Sequence, residues 1–215
     1  MYWIHRIGRG TDGMYALHFD ALWYLLEKRN CLTIGWYDWL KYPSIVNGVE
    51  NGDENFVKSE SKRLGCTYSE SSGLINFSVM KKNDIAIVLP IPDYCQDIIV
   101  VKILSDAQSI LKVTPDMQKD FTTYCLHTNG RTIHFDSQRG YYYDANSPMS
   151  NQNVDAGFFH EVEILNRVLN SKLGALKTLC NSVLSTNDEI INIAHQQYIY
   201  DNLIPKKFHG VILRP

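Results

Sequence analysis

No run of this chain stays apolar for the roughly 18 residues that cross a bilayer, and no secretory apolar core follows its start, MYWIHRIGRG. A strong charge of either sign is also missing. The formal net charge is -2, so no global field would hold the chain on a polyanion, and any nucleic-acid contact must come from a local patch or a pocket. Paired cysteines are missing too. Cys31, Cys66, Cys95, Cys125 and Cys180 are scattered, odd in number and form no C-x-x-C, which argues for free thiols in a reducing compartment. From these absences a cytosolic or nuclear location is expected by default, taken as cytoplasmic, and no membrane partner is expected.

Catalytic signatures are equally scarce. A P-loop, H-E-x-x-H, G-x-S-x-G and the zinc-deaminase pattern are all absent. GRGTDG, Gly8 to Gly13, has the glycine spacing of a dinucleotide loop after the first strand but reads as a surface turn, without a lysine or a helix packed in the right frame. Cys125, His127 and His134 fit no familiar zinc spacing. "ESK" at Glu60 to Lys62 matches half of a metal-dependent nuclease core, but its polar surroundings read as a solvated helix face. No cofactor and no metal are expected.

What the chain does have is an ordinary globular composition, 45% apolar over 215 residues, enough for a proper core. Tyr2 to Ile7 reads as a strand, and the spacing of Leu17, Ala21, Leu22, Leu25 and Leu26 predicts a helix. CLTIGWYDW reads as a second strand, whose Gly35 marks a bulge or a close backbone approach. The following PSIVNGVENGDENF is polar and Gly/Asn-rich, leading into a helix over Asn55 to Leu64. SSGLINFSVM is a short helix or turn capped by Ser71 or Ser72. DIAIVL and DIIVVKIL are strands, the first buried on both sides. RTIHFD and YYYD form a hairpin about Gly140, and AGFFHEVEIL is a further strand. The remainder alternates helical runs, with Ser185 or Thr186 before Glu189 as a capping box. The expected fold is α+β, a small, mostly antiparallel curved sheet with flanking helices. Its expected organisation is a barrel domain over residues 1–165 and a helical segment over 166–215. The ending FHGVILRP reads as a boundary within a longer protein.

Aromatic residues carry most of the functional signal. Trp3, Trp23, Trp36, Tyr37 and Trp39 fall within the first forty residues. On a strand, Trp3 and His5 share one face while Tyr2, Ile4 and Arg6 share the other; Tyr37 would share a face with Trp39, opposite Trp36. At least one ring should then point away from the interior and offer a stacking surface, worth about 1–3 kcal/mol to a base. The competing reading is a Trp-rich core.

Taken in order, YWIHRI, WYLLEKRNCLTIGWYDW, MKKNDIAIVLP, DAGFFHEVEIL and STNDEI resemble the EVE-like branch of the PUA superfamily, found at the N-terminus of bacterial modification-dependent restriction and other defence proteins. The resemblance spans Tyr2 to about Ile190. It implies a small curved β-barrel with flanking helices and, as ligand, a modified base flipped out of DNA into an aromatic pocket. On this resemblance the pocket would be formed by Trp3, His5 and Arg6 on the first strand and by Trp36, Tyr37 and Trp39 at the second. Asn76 and Phe77, before the MKKND turn, and Pro90 and Tyr94, in the loop after the buried strand, would complete it. Two departures stand out: the usual KKGD turn is KKND, where Asn83 tolerates positive φ, and PIPDYCQD replaces a glycine-centred turn. Phosphate contacts would come from Lys58, Lys62 and Arg63, from Lys81 and Lys82, or from Arg131 and Arg139; each group also reads as ordinary solubilising charge. The implied function is a non-catalytic recognition module working with a separate or downstream NTPase or nuclease. Three alternatives remain open: a sensor of RNA or free nucleotide, a protein-interaction domain whose aromatic pocket is not a base site, or an enzyme using His5, Arg6 and Asp38.

Overall fold

A computed structural model describes residues 1–7, 16–89, 97–110, 133–136, 141–144, 153–154, 157–169, 190–192, 196–209 and 212 of the chain, with residues 16–21, 37–38, 68–70, 97, 133–136, 141–144, 153–154, 169, 190–192, 196 and 198 described by their backbone alone. It is an α+β fold around a curled, half-barrel mixed sheet.

The chain opens with β1 (Tyr2–Arg6) and runs through α1 (Ala16–Arg29) to β2 (Cys31–Ile34). Leu22, Leu25 and Leu26 bury the inner side of α1, Lys28 and Arg29 sit favourably in its last turn, and Asn30 at φ 53 ends it. The second strand is shorter than its sequence predicts. It stops at Ile34, and Tyr37–Lys41 forms a 3-10 turn, so Trp36, Tyr37 and Trp39 do not alternate across a sheet.

The Gly/Asn-rich segment is also a correction, because it forms α2 (Pro43–Asn51). Pro43 sits in its first turn, and Gly52 at φ 65 caps its end. Gly48 lies inside this helix because the ring of Phe56 packs where a side chain would go. In α3 (Glu54–Arg63), the Asp53 carboxylate accepts from the Phe56 amide at 3.0 Å. α4 (Tyr68–Val79) starts before Ser71, so neither Ser71 nor Ser72 is its cap; the Ser71 hydroxyl donates back to the Thr67 carbonyl.

The sheet continues with β3 (Ile85–Leu89), β4 (Asp97–Ile103), β5 (Gln108–Ser109), β9 (Phe158–Leu169) and β10 (Ile190–Asn192), in the order β10-β1-β3-β4-β9-β2, with β5 also pairing with β9. β1 and β3 run parallel and the other pairs are antiparallel, so the sheet is mixed. The register of β9 slips where Val100 and Val101 of β4 face Asn166 and Ile164, leaving Leu165 as the extra residue of a bulge. Such a bulge bends and twists its strand. The predicted hairpin is present as β6 (Ile133–Asp136) and β7 (Tyr141–Asp144), joined by β8 (Asn153–Val154) in a separate three-stranded sheet.

The central strands are buried on both faces. Trp3, Ile7, Ala86, Val88, Ile99 and Val101 point into a core shared with α1 to α4. Tyr2, Ile4, Ile85, Ile87, Ile98 and Val100 point into a second core, closed by Ile199, Tyr200, Leu203 and Ile204 on and just after α5 (Gln196–Leu203). The helical runs read from the sequence do not hold at Ile190–Asn192, which is β10, pairing antiparallel with β1. The 165/166 boundary expected from the sequence lies within β9, and the predicted cap at Ser185 or Thr186 lies outside the described residues.

Candidate functional site

The site is built where β2 ends. Gly157, just before β9, donates its N–H to the Ile34 carbonyl at 2.9 Å, and Ile110 donates to Gly157 in turn. A Cβ at Gly157 would collide with the Gly35 carbonyl oxygen and lie 2.7 Å from the Trp36 carbonyl carbon. The two backbones therefore cross in direct contact, which is the close approach that Gly35 suggested, with Gly157 as the second glycine. Held there, Trp36 takes the left-handed conformation, φ 71 and ψ 29. That region is unfavourable for a bulky side chain.

From Trp36 the chain winds tightly. The Trp39 amide donates to the Trp36 carbonyl at 3.0 Å, and the Tyr42 amide donates to the Trp39 carbonyl at 2.9 Å. In a 3-10 turn, residues three apart eclipse one another, which places Trp36, Trp39 and Tyr42 on one side. The two indoles meet at 75° with centroids 4.7 Å apart. All three rings are partly buried against the main core, and the Lys41 ammonium stands 5.3 Å from the Tyr42 ring centroid. The result is a half-exposed aromatic corner with a cation at its rim.

The other predicted residues fall elsewhere. Trp3 is 3% exposed, and its indole N–H donates to Asp84 at 2.8 Å. Asp84 also accepts from the Lys81 amide and from the N-terminal ammonium, pinning β1 to the KKND turn. Asn83 occupies positive φ there, 75°, as its identity suggested. His5 is 2% exposed and meets the Phe77 ring edge-on at 5.8 Å. Its Nδ1 has no hydrogen-bond partner. Burial, and then the nearby His160, push its pKa down to about 3. Phe77 is fully buried, between His5 and His160. Trp3, His5 and Phe77 therefore belong to the core, and both faces of β1 are covered. Arg6 and Asn76 are half-buried. Pro90, Tyr94, Arg131, Arg139 and the side chain of Tyr37 lie outside the described residues.

Lys58, Lys62 and Arg63 are exposed on α3, and Lys81 and Lys82 at the turn before β3. Arg63 is engaged, donating to both carboxylate oxygens of Glu60 at 2.8 and 2.6 Å, while Ser44 donates to Glu60 as well. These partners hold the Glu60 carboxyl down to about 2, on the solvated helix face read from "ESK". Among the described residues, no three His, Cys, Asp or Glu side chains gather as metal ligands, and no helix is long and apolar enough to cross a membrane. Cys31 is a buried free thiol whose pKa burial raises to about 12, so it is inert at neutral pH.

Sequence reasoning missed Tyr42, Lys41 and Gly157. The three-residue spacing of aromatics in WYDWLKY was the available signal for the turn; nothing local to Gly157 announces its partner. No protein-family model, curated protein or solved structure matches the chain.

Proposed function

We propose that this protein is a non-catalytic recognition module that reads a modified base flipped out of DNA, with the Trp36–Trp39 corner as its stacking surface. The observation that carries the reading is the conformation of Trp36: a bulky residue held in the left-handed region, partly exposed, its indole at 75° to a second indole. Strained residues of this kind concentrate at ligand sites. The curled mixed sheet is compatible with a PUA/EVE-like barrel, and the motif order supplies the choice of a modified base. On this reading the pocket sits at the 36–42 turn and not over Trp3 and His5. Lys41 at the rim, with Lys58, Lys62, Lys81 and Lys82 as candidates further out, would meet phosphates. Strand cleavage or translocation would fall to a separate NTPase or nuclease in the cytoplasm.

Tryptophan fluorescence titration tests this, using duplexes with methylated or hydroxymethylated bases against the plain duplex. RNA and free nucleotide serve as further arms. Tighter binding of one modified duplex, weakening as salt rises, is the expected result. Equal, weak binding to modified and plain DNA would refute it.

A further inference from the structure

His160 lies in β9 opposite Leu32 of β2, fully buried. Its Nδ1 is 2.9 Å from the Ser105 carbonyl oxygen, in the loop between β4 and β5. Its Nε2 is 2.9 Å from the Phe77 carbonyl oxygen, in the last turn of α4. Carbonyl oxygens only accept, and a neutral imidazole has one N–H. Only the imidazolium can satisfy both contacts; in the neutral ring, one nitrogen turns a lone pair on a carbonyl oxygen.

The surroundings pull in opposite directions. Burial is the larger influence and lowers the pKa of His160, while the Phe77 and Ser105 carbonyls, then Asp106 in the loop and Asp84 before β3, favour the charged ring. His5 of β1, across the Phe77 ring, stays neutral and offers no counter-charge.

We propose that His160 is a proton-dependent latch: charged, it donates to Ser105 and Phe77 together; neutral, it keeps Phe77 and releases Ser105. The choice between the two carbonyls follows from their exposure. The Phe77 contact is buried, so leaving that acceptor unpaired is the costlier option, whereas the Ser105 contact is only part-buried and its carbonyl can take water. The released loop remains tied to β9 by the Glu161 amide, which donates to the Ser105 hydroxyl, and by the Leu104 amide, which donates to Glu161. It loosens without detaching. The same segment continues into β5 and Ile110, whose amide holds Gly157 beneath Trp36, so the latch reaches the aromatic turn.

The test is long-range proton–nitrogen correlation of the imidazoles in the full chain, labelled with ¹⁵N-histidine, between pH 4.5 and 8. His160 is told apart from His5, which also borders Phe77, by its contacts across the sheet with Leu32. The expected result is an imidazolium pattern at the acid end and the Nε2–H tautomer at the other. Amide exchange at Ser105 to Ala107, corrected for its intrinsic rate, should rise with the same midpoint. In His160→Gln that pH dependence should vanish. One unchanging ring pattern, a change of ring state with no change in loop exchange, or pH-dependent exchange persisting in His160→Gln would each overturn the latch. If the Gln variant does not fold, the wild-type spectra decide alone.

Discussion

At position 36 the backbone conformation and the side chain can be varied separately. A non-glycine residue in the left-handed region costs about 1–2 kcal/mol, and glycine escapes that cost while gaining unfolded-state freedom worth about 0.4–1 kcal/mol. Trp36→Gly should therefore be more stable than Trp36→Ala by a few tenths to about 1 kcal/mol, measured by urea unfolding. Both variants lose the ring, and both should lose about 5- to 150-fold in affinity for the preferred duplex, the worth of one stacked base. A Gly variant no more stable than the Ala variant would mean that the crossing over Gly157 does not enforce the conformation. A second residue-scale expectation concerns His5, whose pKa is lowered in the folded chain to about 3 against an ordinary 6.5. A depressed histidine is neutral when folded and charged when unfolded between those values, so its contribution is fully present above pH 6.5 and is lost as pH falls toward 3. Unfolding midpoints compared between pH 7 and pH 4 should fall less steeply in His5→Leu than in the parent. An equal fall would show that His5 is not the neutral group responsible.

Single glycines set how elements meet. Gly157→Ala forces a Cβ against the backbone of Gly35 and Trp36, which has no flexible end to move aside. A loss of about 1–3 kcal/mol or more is expected, together with a changed Trp fluorescence spectrum as the turn shifts. Gly48→Ala presses most on the ring of Phe56, which is 41% exposed and can swing outward, and less closely on the buried Val57, which must give slightly. The helix-propensity gain of about 1 kcal/mol for Ala over Gly then offsets much of the contact, leaving stability nearly unchanged by the same unfolding measurement. The same elements explain what the sequence made legible. α1, α3, β3, β4 and β9 were readable because each carries its own periodicity or cap. α2 was not, since its Gly48 and its asparagines look like loop residues until Phe56 is seen packing on the glycine. β2 was overdrawn because Trp36, Tyr37 and Trp39 favour strands by type, whereas a contact from Gly157, more than a hundred residues away, turns the chain. Ile190–Asn192 carries too short an apolar run to distinguish strand from helix, and its pairing with β1 decides.

Over the whole molecule, the sheet is a wall between two cores, and this determines what could be known of the site in advance. Alternation correctly separated Trp3 and His5 from Tyr2 and Ile4, but it could not say what covers each side. Tyr2 and Ile4 are covered from the far end of the chain, by Ile199, Tyr200, Leu203, Ile204 and Ile212, while β10 pairs along β1. The C-terminal part therefore completes the first strand's environment. Ending the chain at residue 189 should uncover the second-core faces of β1, β3 and β4 at once. With each large side chain worth about 1.5–3 kcal/mol, the loss is as large as the whole 5–15 kcal/mol stability of a typical domain. The expected outcome is a chain with no cooperative unfolding transition and strong binding of a hydrophobic dye. A stably folded 1–189 fragment with native tryptophan fluorescence would instead mean that the sheet closes on one core alone and that the C-terminal segment is an appendage, as the sequence by itself suggested.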